Sequence, residues 1–188
     1  MQEIGDAAGL SRGAPIYFFG SKRDLYVAVL QRVFADREEA TTRAFEPVRA
    51  WCKSARAGSL RPPLTRAIES YMSFLLERPA FVTLIVREEL RGGEGLRRAQ
   101  REATSMRDAL AEVRALAGKR SLRRFDVDDA VLVLVSLTFS PLSQQSTFMA
   151  ALGRDLRDAA IRRQHIRLVV GQMLHLLGAR NTDQGSEL

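Results

Sequence analysis

The sequence predicts an all-α protein of 188 residues, with a short helix-turn-helix head in front of a helical bundle. Three observations support this prediction. Apolar residues recur at spacings of three and four along most of the chain, which is the period of an amphipathic helix. No stretch of useful length alternates apolar and polar residues as a half-buried strand does. Proline and glycine fall between the periodic segments, where they mark helix ends.

The composition, with 46% hydrophobic and 27% charged residues, is typical of a globular protein. No apolar run approaches the roughly 18 residues of a membrane helix, and the chain does not start with a signal peptide, so we expect no membrane partner. The single cysteine, Cys52, excludes an intrachain disulfide framework and fits the reducing cytoplasm. The net charge of +7 is compatible with nucleic acid binding. Residues 1–32, however, hold four cations and three anions, a net of only +1.

Two short helices are predicted at the start of the chain. Apolar residues in positions 4–8 recur at helical spacing, and Gly9 suits a helix stop that needs a positive φ. Ser11 is the expected N-cap of a second helix over residues 12–18, because its hydroxyl can accept from a backbone N–H of the first turn. Pro15 makes this second helix weak by propensity.

A third helix is predicted after Gly20, with Ser21 as its N-cap. Its first turn holds Lys22 and Arg23, which oppose the helix macrodipole. Cations in that position are explained if an anion outside the protein is their partner.

This third helix is predicted to run over residues 21–49, because apolar residues follow helical spacing from Leu25 onward. Pro47 is expected to end or bend it. The four charged residues 36–39 are interpreted as a solvated face. Residues 51–61 are predicted to form a loop.

Five more helices follow, each bounded by a capping or breaking residue. Pro62 and Pro79 suit the first turns of two of them, Gly118 ends the third, and Asp126 can cap the fourth. Pro141 is expected to break or kink the chain after that helix. The predicted spans are 62–77, 79–90, 94–117, 126–138 and 157–177.

The segment AAGLSRGAPIYFFGSK resembles the DNA-binding signature of the TetR family of bacterial transcriptional regulators. Residues 8–11 match the family's turn, residues 12–18 its recognition helix, and residues 19–22 the start of its next helix. Two short helices joined through a glycine are a helix-turn-helix pattern. In one departure, Ile16 stands where the family usually has a tyrosine. In the other, this sequence does not include the helix that the family carries before this point. We expect an upstream start or a missing N-terminal segment rather than a domain that lacks this helix, and we expect the head without it to bind DNA poorly.

The resemblance implies a double-stranded DNA operator as partner. Arg12 would read a guanine through its bidentate guanidinium, and Tyr17 and Lys22 would hold phosphates. The alternative is a surface loop with ordinary aromatic residues. The candidate DNA-binding residues are Ser11, Arg12, Gly13, Ala14, Tyr17, Phe18 and Lys22.

The same resemblance implies an effector cavity among the middle helices and a homodimer formed by the last two helices, which are richer in apolar residues than one bundle needs. Mostly apolar candidate linings favour an apolar or aromatic effector, although for each single residue ordinary core is the favoured interpretation. The candidate pocket residues are Trp51, Tyr71, Phe74, Phe81, Ile85, Met106 and Phe139. The candidate dimer residues are Leu132, Val135, Ile161, His165, Leu168, Val169, Gln172, Met173 and Leu176.

No pattern in the sequence predicts catalysis. His165 and His175 are ten residues apart, which does not place them on one helical face as metal ligands. Cys52 has no neighbouring histidine, and the acids at positions 88–89 lie among arginines that can pair with them. We therefore expect no enzyme, no cofactor and no metal.

The sequence as a whole predicts a head (residues 1–32), an effector-binding and dimerisation domain (residues 33–180) and a disordered tail (residues 181–188). The predicted function is that of a TetR-like, ligand-responsive repressor that acts as a homodimer. The alternative is a dimeric small-molecule-binding protein whose truncated head no longer binds DNA. A helical-bundle enzyme is the third choice, since no Glu-x-x-His pair is present.

Overall fold

A computed structural model describes residues 1–54, 58–100, 113–118 and 122–179. Over these ranges the chain forms helices and no strand, which confirms the all-α prediction. The predicted tail, residues 181–188, lies outside the described residues. The helices are α1 (Gln2–Ala7), α2 (Ala14–Phe19), α3 (Lys22–Ala44), α4 (Glu46–Lys53), α5 (Arg61–Glu77), α6 (Pro79–Leu90), α7 (Glu94–Gln100), α8 (Val127–Ser143) and α9 (Ala159–Leu177), with a π-helical turn at Gln145–Met149.

Two predicted caps are confirmed. The Ser21 hydroxyl accepts from the backbone N–H of Asp24 at 3.1 Å at the start of α3. The Asp126 carboxylate accepts from the N–H groups of Asp128 and Asp129 at 2.8 and 3.0 Å at the start of α8. Each cap satisfies donors that the first turn of a helix leaves without an intrahelical partner.

Two proline-containing segments differ from their prediction. The second helix begins at Ala14 rather than residue 12, and Ser11 does not cap it with its side chain. Its proline, Pro15, lies in the first turn, where the missing N–H costs no hydrogen bond. The predicted helix over residues 21–49 is two helices, divided at Phe45, because Pro47 likewise occupies the first turn of α4.

The last two long helices also differ in their bounds. Helix α8 continues through Pro141 to Ser143 instead of breaking before it. Helix α9 begins at Ala159, two residues later than predicted, because Asp158 caps it by accepting from two backbone N–H groups. Of the predicted helix over residues 94–117, the described parts are α7 and a helical segment at residues 113–117.

The core has three clusters arranged around α5 and α3. The largest joins α5 to α4, α8 and α9 and includes the fully buried Ile68 and Val169. A second joins α5 to α6 through Phe74 and Phe81. The third packs α3 against α7. Helix α3 runs continuously through residue 32, where the division between head and body was predicted, and that division stays a prediction.

Candidate functional site

The N-terminal helix pair is held together by a close backbone approach at Gly5. A Cβ atom at this position would lie 3.1 Å from the carbonyl oxygen of Ser11 and 3.4 Å from the ring of Pro15. The Leu10 N–H donates to the Gly5 carbonyl at 2.9 Å. The turn between the helices passes through Gly9 with φ +67°, a conformation that favours glycine. These contacts fix the position of α2 relative to α1.

Helix α2 presents two aromatic side chains to solvent. Tyr17 is 85% exposed and Phe18 is 69% exposed, and their rings meet edge to face with centroids 5.3 Å apart. Ile16, at the family's usual tyrosine position, is also exposed. Such an apolar and aromatic surface is available to a partner.

The other candidate DNA-binding residues surround this helix. Ser11, Arg12 and Gly13 lie in the exposed turn before α2, so Arg12 is not on the helix as predicted. Its guanidinium faces the side chain of Gln2, whose amide oxygen accepts from Nε and Nη1 at 3.1 Å when the amide is oriented to satisfy both groups. Ala14 is half-buried.

The two cations at the start of α3 have different environments. Arg23 forms an ion pair with Glu94 of α7, so a partner inside the protein explains it. Lys22 is exposed and, within the described part of the chain, forms no ion pair. Of these two cations, Lys22 is therefore the one that an external anion would complement.

A cavity of about 280 Å³ lies between α3, α5, α6 and α8. Four of the candidate pocket residues line it: Tyr71, Phe81, Ile85 and Phe139. The rest of its apolar wall comes from Phe34, Phe45, Leu96, Val113, Val131, Leu134 and Val135. A larger cleft of about 470 Å³ lies between α5, α6 and the π-helical turn, but none of the candidate residues lines it.

The other candidate pocket residues lie elsewhere. Phe74 is buried and stacks on Tyr71 with ring centroids 6.4 Å apart, while Arg78 covers its ring. Trp51 packs against the main core and donates from Nε1 to the Gly58 carbonyl at 2.9 Å. Met106 lies outside the described residues.

The cavity has a polar side that the sequence interpretation missed. Arg37 and Thr41 line it, and the Arg37 Nε and Thr41 Oγ1 atoms are buried without a hydrogen-bond partner. Arg37 belongs to the run 36–39 that was interpreted as a solvated face, and the structure corrects that interpretation. In the sequence, Phe34, Arg37 and Thr41 follow at i, i+3 and i+7, on one side of α3, but this spacing alone does not show that the side faces a cavity.

Tyr71, on α5, also lines the cavity. Burial raises the pKa of its hydroxyl, and the nearby charge of Arg37 acts in the opposite direction. The Tyr71 hydroxyl is therefore held in its neutral, hydrogen-bond-donating form. The Arg37 guanidinium is placed over the Phe34 ring, 5.6 Å from the centroid, a cation–π contact that orients it.

Glu88 is a second buried polar group that the sequence did not reveal. It is 2% exposed rather than paired with a neighbouring arginine on the surface. Its Oε1 accepts from the Tyr26 hydroxyl of α3 at 2.5 Å, and its Oε2 accepts from the backbone N–H of Leu96 in α7 at 3.2 Å. A Cβ at position 95 would lie 2.7 Å from Oε2, so the close fit depends on Gly95. Glu88 thereby joins α3, α6 and α7.

The candidate dimer residues fall into two groups. Val169 and Met173 are buried in the chain's own core, so in this structure they face other helices of the same chain. Leu132 (64% exposed), Val135, Leu168 and Gln172 face solvent on α8 and α9. Phe148 and Leu152 are exposed too, although neither was predicted. Ile161, His165 and Leu176 are half-buried.

His165 has a structural partner. Its Nε2 lies 2.8 Å from the carbonyl oxygen of Leu137. Because a carbonyl oxygen can only accept, Nε2 is the donor. Because Pro141 has no N–H, it cannot bond the carbonyl four residues earlier, which is that of Leu137. His165 satisfies the carbonyl instead. Within the described ranges no cluster of acids, histidines and cysteines could hold a metal, and no helix there is long and apolar enough to cross a membrane.

Comparison with known proteins agrees with the resemblance. Residues 62–172, more than half of the chain, match the family described as "Tetracyclin repressor-like, C-terminal domain". The chain is 26% identical over 151 residues to the HTH-type transcriptional repressor NicS of Pseudomonas putida. That alignment covers 76% of this chain and 65% of the repressor. No solved structure matches the chain. The chain belongs to the TetR family of transcriptional regulators.

Proposed function

We propose that the chain is a homodimeric, ligand-responsive repressor that acts in the cytoplasm and binds double-stranded DNA through residues 11–22. The observation that carries this proposal is the exposed α2 with Tyr17 and Phe18, followed by Lys22, which forms no ion pair with a described residue. Tyr17 and Lys22 supply a hydroxyl and an ammonium group for phosphate oxygens. The similarity to a protein named as a repressor supports the direction of regulation.

Helix α3 provides a physical connection between the two sites. Lys22 lies at its N-terminus, and Arg37 lines the cavity fifteen residues later. At 1.5 Å per residue the two positions are about 22 Å apart along one helix. A ligand that contacts α3 more favourably in one orientation than in another shifts the population of head orientations by its difference in affinity.

The exposed apolar residues of α8 and α9 support a homodimer. Leu132 and Leu168 lie on the outside of the chain, where apolar side chains gain from burial against a second copy. Two heads related by the dimer axis would contact half-sites about 34 Å apart or somewhat more.

Titration of labelled upstream DNA, followed by fluorescence anisotropy at several salt concentrations, tests the DNA proposal. We expect a sequence-specific complex that weakens steeply with salt. Lys22→Ala should weaken binding to all sequences alike, and Arg12→Ala should relax sequence preference. The control is Lys53→Ala, which removes one exposed cation from the end of α4. Equal, weak binding to all sequences would contradict the proposal. The same titration with upstream-encoded residues added tests the expected need for a preceding helix.

Sedimentation equilibrium tests the homodimer. Leu132→Glu and Leu168→Glu should each shift the protein toward monomer, because an unpaired carboxylate would be buried in the interface. Leu90→Glu is the matched control, since Leu90 is 82% exposed at the end of α6. If all three variants associate like the unmodified chain, α8 and α9 do not form the interface. A dimer that binds ligand but no DNA would instead favour the small-molecule-binding alternative.

A further inference from the structure

The polar side of the cavity consists of hydrogen-bond donors on two helices. Arg37 and Thr41 are one turn apart on α3 and therefore project from the same face. Tyr71 faces them from α5. The guanidinium Nε–H has no acceptor capacity, and the Thr41 and Tyr71 hydroxyls can each donate one proton.

Two of these groups are buried and have no hydrogen-bond partner. A buried polar atom without a hydrogen bond destabilises a fold, yet Arg37 Nε and Thr41 Oγ1 are both in that state. Among the described residues no carboxylate forms an ion pair with Arg37. Destabilising polar groups that converge on one cavity are characteristic of a site built to bind a ligand.

The other charged groups of the cavity do not neutralise this site. Arg49 also lines it, but its guanidinium is paired with Glu46 at 2.8 Å and with the carbonyl of Thr42. Glu89 also lines the cavity, but it is exposed to solvent and forms no ion pair with Arg37. The charged side chains that line the cavity, Arg37, Arg49 and Glu89, sum to one positive charge, and the remaining wall is mainly apolar and aromatic.

We propose that the cavity binds an apolar, ring-containing or medium-chain carboxylic acid, whose carboxylate is held by Arg37 and Thr41 while its apolar body lies against the Phe81 and Phe139 side. The proposal rests on the proposed ligand-responsive function and specifies the chemical class of the ligand. A carboxylate offers two oxygens to the guanidinium and the hydroxyls. The volume of about 280 Å³ suits a molecule at the small end of protein ligands.

Isothermal titration calorimetry with matched probe pairs tests the charge requirement. The acids are benzoate, 2-naphthoate and decanoate, each compared with its primary amide. We expect at least one acid to bind and to bind about 10- to 100-fold more tightly than its amide, which is the range for a charge-assisted hydrogen bond. Equal affinity for acid and amide, or the absence of binding by every acid, would overturn the proposal.

Variants of α3 test the assigned residues. Arg37→Gln should weaken binding of the acid about 10- to 100-fold and leave the amide unaffected. Arg43→Gln is the matched control, because Arg43 lies on the same helix but is exposed and paired with Glu39. Loss of acid binding in both variants, or in neither, would contradict the role of Arg37.

Thr41→Val separates a binding role from a structural one. The valine fills nearly the same space and removes the buried, unpartnered hydroxyl. We expect the melting temperature of the unliganded protein to rise by about 2–12 °C, while affinity for the acid falls several-fold. A lower melting temperature would show that the hydroxyl serves the fold.

Release of DNA is measured separately, by anisotropy. If the acid binds with the expected dependence on Arg37 but leaves the DNA complex unchanged, ligand-responsive repression fails and the ligand class stands. If an amide releases DNA as effectively as its acid, ligand-responsive repression stands and the carboxylic acid class of the ligand fails.

Discussion

Removal of the Tyr26 hydroxyl should destabilise the whole protein, because it donates to a buried carboxylate between three helices. The acceptor, Glu88, is 2% exposed, and the hydrogen bond to its Oε1 is 2.5 Å long. In Tyr26→Phe the ring stays and only this donor is lost. Oε1 would then be buried without a partner.

The magnitude follows from the charge and burial of the acceptor. Hydrogen bonds to charged groups contribute about 1.5–3 kcal/mol, and a buried acceptor left unsatisfied adds its desolvation cost. A loss of about 2 kcal/mol in the free energy of unfolding is therefore expected. For a chain of this length each kcal/mol shifts the melting temperature by about 2–4 °C, so the decrease should be about 4–8 °C.

Thermal and urea unfolding, followed by circular dichroism, measure this loss. Tyr17→Phe is the matched control, since it removes the same atom from a side chain that is 85% exposed, and it should change stability by no more than about 0.5 kcal/mol. In a double-mutant cycle with Glu88→Gln, the coupling energy should be about 0.5–3 kcal/mol. Equal effects of the two tyrosine substitutions, with no coupling to Glu88, would refute the reasoning.

Two predictions concern pH. Burial raises the pKa of Tyr71 above its usual value of 10.0. The neutral Tyr71 hydroxyl therefore contributes to stability below pH 10.0, and this contribution is lost as the pH rises further. In urea unfolding, the Tyr71→Phe variant should lose less stability on alkalinisation than the unmodified chain, and an equal loss would contradict this. Backbone N–H groups of Ile161 and Ala160 lower the pKa of Asp158 below its usual 3.8, so its contribution is present above that pH and is lost on acidification. Asp158→Asn keeps the cap but removes the titrating group. The melting temperatures of this variant and of the unmodified chain should therefore differ by an amount that changes below pH 3.8. A difference that stays constant would show that the cap does not titrate.

The parts of the fold that the sequence predicted are those decided by local physics. Ser21 and Asp126 cap helices because a short polar side chain can reach the N–H groups two or three residues ahead. Most of the wrong bounds concern prolines. Pro47 and Pro141 were interpreted as breakers and Pro15 as a residue inside a weak helix, but Pro15 and Pro47 lie in first turns and Pro141 lies in a last turn.

The polar groups at the cavity could not be assigned from local patterns. Arg37 stands among charged neighbours, so only the packing of α5, α6 and α8 against α3 reveals that its Nε is buried. Glu88 also lies among arginines, and an i, i+4 surface pair was the simpler interpretation. Its true partners, Tyr26 and Leu96, are 62 and 8 residues away. Aromatic lining residues were easier to predict, because a large apolar side chain in the middle of a helical bundle lies either in the core or on a cavity wall.

The position of Glu88 on α6 connects the cavity to the N-terminal half of α3. Ile85 and Glu89, on either side of it in the sequence, line the cavity, while Glu88 bonds to Tyr26, four residues after Lys22. A shift of α6 away from α3 would stretch or break that bond, whose loss costs about 1.5–3 kcal/mol. A coupling between distant sites is typically about 1–3 kcal/mol. The free energy of this one buried hydrogen bond is therefore of the same size as such a coupling.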